Sequence, residues 1–165
     1  MECKNTSVDK FNGISISVNT LNPQSTGSIR IKSNDYRHDP IIFPNYLSDA
    51  DGIDIKKHLD GIKKIRNIVN TDPINKLIVE EKVPGKKFKS DVELREFIKN
   101  FSTTIYHATG TCRFGSENNG VTDENFRVYG VRNLRVCDAS VMPESINGNT
   151  AATCYVLGKI LASLI

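Results

Sequence analysis

Nowhere in the 165 residues is there an apolar run of the roughly 20 residues needed to cross a bilayer, and Met1-Glu2-Cys3-Lys4-Asn5 lacks the apolar stretch of a secretion signal. The sequence therefore predicts no membrane segment and no signal peptide. Its four cysteines, Cys3, Cys112, Cys137 and Cys154, form no CxxC pair and have no histidine at ligand spacing, so neither a metal site nor a thioredoxin-like redox centre is expected. Free cysteine behaves as a small hydrophobe, and buried core thiols are the expected reading, Cys137 within a strand-like run and Cys154 within a helical one. The excess of basic charge is also small: 22 Lys and Arg against 19 Asp and Glu leave a formal net charge of +3, too little to imply a nucleic-acid or membrane partner. The densest cluster, Lys86-Lys87-Phe88-Lys89, reads as a solvated loop.

What is present suits one globular domain, with 38% hydrophobic and 25% charged residues. Ile14-Ser15-Ile16-Ser17-Val18 and Gly27-Ser28-Ile29-Arg30-Ile31-Lys32 alternate apolar with polar residues and predict two half-buried strands separated by an Asn22-Pro23 turn. Asp39 to Pro44 is apolar and closed by prolines, which suits an edge strand or an extended connector. Ile53, Lys56, Leu59, Ile62, Ile65 and Val69 set a helical stripe interrupted by Lys56. Ser48-Asp49-Ala50-Asp51 ahead of it offers N-caps, and Asp72-Pro73 stops it. Val83-Pro84-Gly85 marks a loop. Ser90 and Glu93 then form a capping box for a second helix with Leu94, Phe97, Ile98 and Phe101 on one face. Glycines punctuate the stretch beyond Phe101. A strand is predicted over Leu134 to Asp138 and a last helix from Asn149 to Ile165, with Val156, Ile160, Leu161, Leu164 and Ile165 as its apolar face.

Two places carry chemistry. The first-turn N–H groups of a helix beginning at Asn149-Thr150 point outward, and the macrodipole places roughly half a positive charge there, so such an end stabilises an anion. Ordinary capping is the competing reading, since Asn and Thr cap helices everywhere. His107 lies in Tyr106-His107-Ala108-Thr109-Gly110-Thr111-Cys112, a Gly- and Thr-rich turn. Imidazole is suited to accept a proton near neutrality. A loop histidine donating to a carbonyl is the bland alternative, and it is the reading given to His38 and His58. Arg113, Asp123, Arg127 and Arg135 read as structural partners in turns.

The order Tyr106 to Gly115, then Phe126 to Pro143, then Gly148-Asn149-Thr150-Ala151-Ala152-Thr153 closely resembles the carboxyl-terminal signature of the glucose-methanol-choline (GMC) family of FAD-dependent oxidoreductases. Gly27 to Ser33 and Pro44 to Ser48 are similar to the family's substrate domain, particularly in insect members of the glucose dehydrogenase (FAD, quinone) type. The resemblance implies an α+β fold. Residues 1–133 would be part of a substrate domain, an antiparallel sheet with helices on one face. Residues 134–165 would be the returning strand and last helix of a Rossmann-like FAD-binding domain. His107 would be the active-site histidine that orients the substrate hydroxyl and serves as, or assists, the base. Asn149 would be the second active-site position. Asp138 and Ala139 would contact the ribityl and diphosphate part of FAD, and the backbone of Asn149 and Thr150 would face the isoalloxazine ring. The implied substrate is an alcohol or sugar, the electron acceptor a quinone or oxygen, and the resemblance leaves an extracellular location open.

Two departures qualify the match. Ala108-Thr109 follows His107 where many members have Pro-Val, a change in loop stiffness. The GxGxxG fingerprint that cradles the FAD pyrophosphate has no counterpart in the sequence. A fragment, a truncated gene product or a short product without the FAD-binding half is expected. Such a chain alone should neither hold FAD tightly nor turn over. A non-catalytic remnant with a binding or structural role stands as the alternative.

Overall fold

Apolar side chains three and four positions apart build the two helices that organise this computed structural model, which describes residues 10–165. Helix α1 runs over Ile53–Val69 and α2 over Asp91–Phe101. They bury Ile55, Leu59, Leu94 and Ile98 against one another, with Leu47, Ile62 and Phe88 packed around the rim. The start of α1 is not capped by its preceding residue: Gly52 adopts φ 62° and has no side chain to offer. Asp49 instead accepts from the N–H groups of Ile53 and Asp54, as the acidic run ahead of the helix foretells. At α2 the capping box forms as the sequence predicts, with Glu93 N–H donating to Ser90 Oγ and Ser90 N–H donating to Glu93 Oε2.

The buried face of α1 is rotated slightly from the expected stripe. Ile53 is largely exposed, while Asp54, Ile55 and Leu59 are buried. On α2, Leu94 and Ile98 turn inward as expected, whereas Phe101 lies exposed and stacks on Phe97 with ring centroids 4.7 Å apart. The Lys86-Lys87-Phe88-Lys89 loop exposes its lysines and turns Phe88 onto the core, where its ring meets Phe97 at 5.5 Å. Arg66 of α1 ties that loop down. Its guanidinium donates to both carboxylate oxygens of Glu81, at 3.0 and 2.8 Å, and to the Phe88 carbonyl at 2.8 Å.

Strand content is smaller than the sequence predicts. Ser28–Arg30 (β1) pairs antiparallel with Ile41–Phe43 (β2), with Ile29 opposite Ile42. Gly27 admits this pairing: a β-carbon there would lie 2.4 Å from the Phe43 carbonyl oxygen. The expected strand at Ile14 to Val18 is corrected to a non-strand segment without a ladder partner among the described residues. Alternation specifies a two-faced extended chain, not the neighbour it bonds to. Leu134 to Asp138 is likewise not a strand. It makes one isolated antiparallel bridge, Arg135 with Arg127, supported by Val128 N–H to the Leu134 carbonyl and Val136 N–H to the Phe126 carbonyl, both 3.0 Å.

The last helix, α3, spans Ala151–Ala162 and has no buried residue. Tyr155 is 82% exposed, and Val156, Ile160, Leu164 and Ile165 are also open. The sheet shows the same property in Ile29, Ile41, Ile42 and Phe43. The chain exposes 13347 Å², against about 8,200 Å² for a compact monomer of 18.4 kDa. This excess explains a further correction. Cys112, Cys137 and Cys154 are free but only half-buried, because nothing among the described residues covers the surfaces they sit on; Cys3 lies outside the described residues. Among the described residues no helix is long and apolar enough to cross a membrane.

Leu59, 2% exposed at the centre of the α1–α2 contact, tests this core. Leu59→Ala is expected to cost about 2–5 kcal/mol through lost burial and the cavity left behind. Leu77→Ala, at a side chain that is 80% exposed, is expected to stay within about 0.5 kcal/mol. Denaturant unfolding of both variants checks the contrast.

Candidate active site

His107 is placed by the chain that leaves α2. Tyr106 just before it adopts φ 64°, a left-handed conformation uncommon for an aromatic residue, and the Tyr106 N–H donates to Thr104 Oγ1 at 2.9 Å. The turn leaves the Tyr106 ring exposed and His107 half-buried. Backbone held in a sparsely populated region persists where its surroundings over-determine it, which is common at functional sites.

The chain beyond His107 is stitched to the segment that leads into α3. Cys112 N–H donates to the Ser140 carbonyl at 2.9 Å and Phe114 N–H to the Val141 carbonyl at 2.8 Å. Buried Val141 and Met142 lock this junction. The result brings together residues more than forty apart in sequence. Asn149 Nδ2 lies 3.1 Å from His107 Nε2, and Thr150 Oγ1 lies 3.1 Å from His107 Nδ1. Asn149 also accepts the Ala151 N–H through Oδ1 at 2.8 Å, so the same side chain caps α3 and meets the imidazole. The N–H groups of Ala152 and Thr153, in the first turn of α3, have no partner among the described residues.

A cleft of about 230 Å³ adjoins this cluster, lined by His107, Thr150, Ile105, Ile146, His58 and Asp54 among others. Asp138 and Ala139 do not line it. They begin the 3₁₀ turn Ala139–Val141, where the Asp138 carboxylate accepts from Ser140 N–H at 2.8 Å. Three of the five residues singled out from sequence therefore converge, and these two stand apart. Among the described residues no group of His, Cys, Asp and Glu side chains is arranged to hold a metal ion.

His58 and Asp54 are polar groups on the cleft wall that the sequence reading did not place there. His58 is corrected from a loop histidine on a carbonyl: it is half-buried on α1 and shares a 3.1 Å hydrogen bond with the Thr20 hydroxyl. Helical spacing, three after Ile55 and four before Ile62, signals that position 58 falls on the buried face, but not that this face meets the cleft. Burial pushes the His58 imidazole below its ordinary value, with the Asp54 carboxylate opposing. The Asp54 carboxylate is itself buried and accepts from Gln24 N–H, Ser25 N–H and the Ser25 hydroxyl, at 2.9, 2.9 and 2.6 Å. Burial raises its pKa. The hydrogen bonds, with the charge of Lys57, outweigh that and hold it below the usual carboxylate value. His38 is an exposed turn histidine as expected, but its Nδ1 meets the Ser33 hydroxyl at 2.8 Å and not a carbonyl. Arg113 and Arg135 bond the carbonyls of Asn119 and Asn125, and Asp123 accepts the Arg127 N–H, as turn partners do.

The chain as a whole is similar to known proteins. The family profile described as GMC oxidoreductase matches residues 23–158. Choline oxidase of Arthrobacter globiformis is 36% identical over 156 residues, which cover 93% of this chain and 29% of that protein. An alcohol dehydrogenase [acceptor] of Pseudomonas putida is 40% identical over 153 residues, 93% of this chain and 27% of that protein. Among solved structures, pyridoxine 4-oxidase from Mesorbium loti superposes with a TM-score of 0.79 at 31% identity, covering 87% of this chain and 28% of its own. The chain thus spans less than a third of the length of these relatives.

The buried Asp54 and half-buried His58 of the cleft wall give stability a defined pH dependence. With its folded pKa depressed, His58 contributes fully above about 6.5 and loses that contribution as pH falls from there through its lower folded value. Asp54 contributes above 3.8 and loses its share as pH falls through its own depressed value. Denaturation midpoints should therefore decline in two stages on acidification. His58→Gln should remove the upper stage; an unaltered upper stage would assign it to another group.

Proposed function

This chain belongs to the GMC oxidoreductase family, and from that membership we propose that it forms the substrate-facing side of an FAD-dependent oxidoreductase active site acting on CH–OH groups. The observation that carries the reading is the convergence of Asn149 and Thr150 on both ring nitrogens of His107. In the proposed role, the imidazole takes the hydroxyl proton of the substrate. Asn149 Nδ2 donates a hydrogen bond to the same oxygen, stabilising the charge it gains as the proton leaves. Both groups are held near one another by their mutual hydrogen bond and by the Asn149 cap on α3, which places them on the same side of the cleft for the reacting oxygen.

The residues present suit the flavin implied by the family. The unpartnered N–H groups of Ala152 and Thr153, at a helix end with roughly half a positive charge, match an aromatic ring system that gains negative charge on reduction. Asn149 and Thr150 would face its isoalloxazine ring, and Asp138 and Ala139 would hold its ribityl and diphosphate portion. When bound, FAD supplies the acceptor for the carbinol hydride. The pyrophosphate grip would come from the part of the relatives' length that this chain does not match. That division assigns residues 1–133 to the substrate domain and 134–165 to the FAD-binding domain, whose neighbours would cover the bare side of α3.

The substrate class is an alcohol or sugar, with a quinone or oxygen as electron acceptor. The resemblance of Gly27 to Ser33 and Pro44 to Ser48 to insect members of the glucose dehydrogenase type makes glucose one test substrate. Choline and pyridoxine, named in the relatives, are the comparison substrates.

In the flavin-containing protein, His107→Ala is expected to lower turnover by about 10²–10⁴-fold while leaving the flavin absorption spectrum in place. Steady-state oxidation of glucose, choline and pyridoxine checks this and ranks the substrates; undiminished turnover would remove His107 from the reaction. The 165-residue chain mixed with excess FAD should show little bound flavin after gel filtration. Tight binding would mean that the chain holds a complete cofactor site.

A further inference from the structure

We propose that Thr150 is a positioning residue that, together with Asn149, fixes the tautomer of His107: the Asn149 amide NH₂ requires Nε2 to carry the lone pair, and the Thr150 hydroxyl accepts the Nδ1–H. This rests on the reading of His107 as proton acceptor and adds what decides which ring nitrogen accepts.

Thr150 stands at the N-cap of α3, where a threonine hydroxyl ordinarily accepts an N–H of the first turn. It makes no such bond. Its oxygen lies 3.1 Å from His107 Nδ1 instead, and the capping role has passed to Asn149 Oδ1, which accepts the Ala151 N–H at 2.8 Å. That second bond fixes the Asn149 amide. With Oδ1 committed to the backbone, the group turned to His107 Nε2 at 3.1 Å is the NH₂, which can only donate. Nε2 must then be the acceptor. A neutral imidazole carries its proton on the other nitrogen, so Nδ1–H donates to Thr150 Oγ1.

The opposite tautomer would set Nε2–H against the Asn149 NH₂, two donors facing, and would leave Nδ1 as a lone pair opposite Thr150. Thr150 is 9% exposed, so water has little access to replace the hydroxyl. Consecutive residues at the start of one helix therefore read both sides of a ring more than forty positions earlier. In the proton-transfer step, the substrate O–H bond breaks and a new N–H bond forms at Nε2. The ring becomes an imidazolium whose Nδ1–H remains on Thr150. Asn149 Nδ2, until then bonded to Nε2, is released to donate to the substrate oxygen.

Nitrogen-15 spectra of histidine-labelled chain at alkaline pH test this directly. The chain has three histidines, and His107→Gln identifies the His107 signals by their loss. A protonated, pyrrole-type Nδ1 with a pyridine-type Nε2 is expected. Thr150→Val should shift the signals towards the Nε2–H form, and Thr150→Ser should restore them. An Nε2–H tautomer in the unaltered chain overturns the proposal, as does a Thr150→Val variant that keeps the original signals. If Thr150→Val fails to fold by circular dichroism, the unaltered chain and Thr150→Ser still decide the tautomer. In the flavin-loaded protein, Thr150→Val should lower kcat about 10–100-fold, as losing the partner of a functional imidazole does elsewhere, with KM little changed and Thr150→Ser recovering most of it. Full turnover in His107→Ala, together with the expected tautomer in the unaltered chain, would defeat the catalytic reading alone.

Discussion

The buried carboxylate of Asp54 and the Ser25 hydroxyl bonded to it tie separate segments of the chain together. The carboxylate sits in the first turn of α1 and gathers Gln24 N–H, Ser25 N–H and the Ser25 hydroxyl. Ser25 Oγ in turn accepts from the N–H groups of Ser48 and Asp49. Three segments are thereby fixed to one point: the arm before β1, the turn before α1, and α1 itself. A buried ionised group is tolerable only when its lone pairs are satisfied, and here donors from backbone and side chain supply that. With the arm anchored, Val18 lies against Gly61, where a β-carbon would come within 2.5 Å of its Cγ1, and Thr20 reaches His58. One wall of the cleft beside His107 is thus a consequence of where a single aspartate is buried.

The other wall depends on long-range pairing between loops. The Cys112–Ser140 and Phe114–Val141 hydrogen bonds, closed over buried Val141 and Met142, bring the His107 turn to the start of α3. Secondary structure contributes little to this junction, which consists of isolated bridges and turns. It holds its shape because its backbone groups are paired across the loops and its few apolar side chains are fully enclosed. Asn149 and Thr150 then bring directionality, since one caps the helix and both meet the imidazole.

The large exposed apolar area has a simple physical meaning. Strand alternation in Ile14 to Val18 and the apolar face of α3 are patterns for surfaces that become buried, yet Ile14, Ile16 and the α3 face stay open among the described residues. A chain that aligns with less than a third of its relatives' length is consistent with surfaces made to meet more protein.

The helices were legible in the sequence because their information is local. Apolar spacing from Leu59 to Val69, the Ser90–Glu93 box and the proline after α1 each act within a few residues, and α1 spans the predicted range. Family likeness was also legible, since it lies in the order of residues; it singled out His107, Asn149 and Thr150, which meet, and Asp138 and Ala139, which stand apart from the cleft. Strands were not, because a strand is defined by a partner that alternation does not name; Leu134 to Asp138 found only a bridge to Arg127. Nor did residue order show that Asp54 is buried, that His58 faces the cleft, or which nitrogen of His107 meets which side chain. Those depend on contacts between residues 30 to 43 positions apart. Such separations leave no local periodicity to read, and only tertiary packing selects the partner.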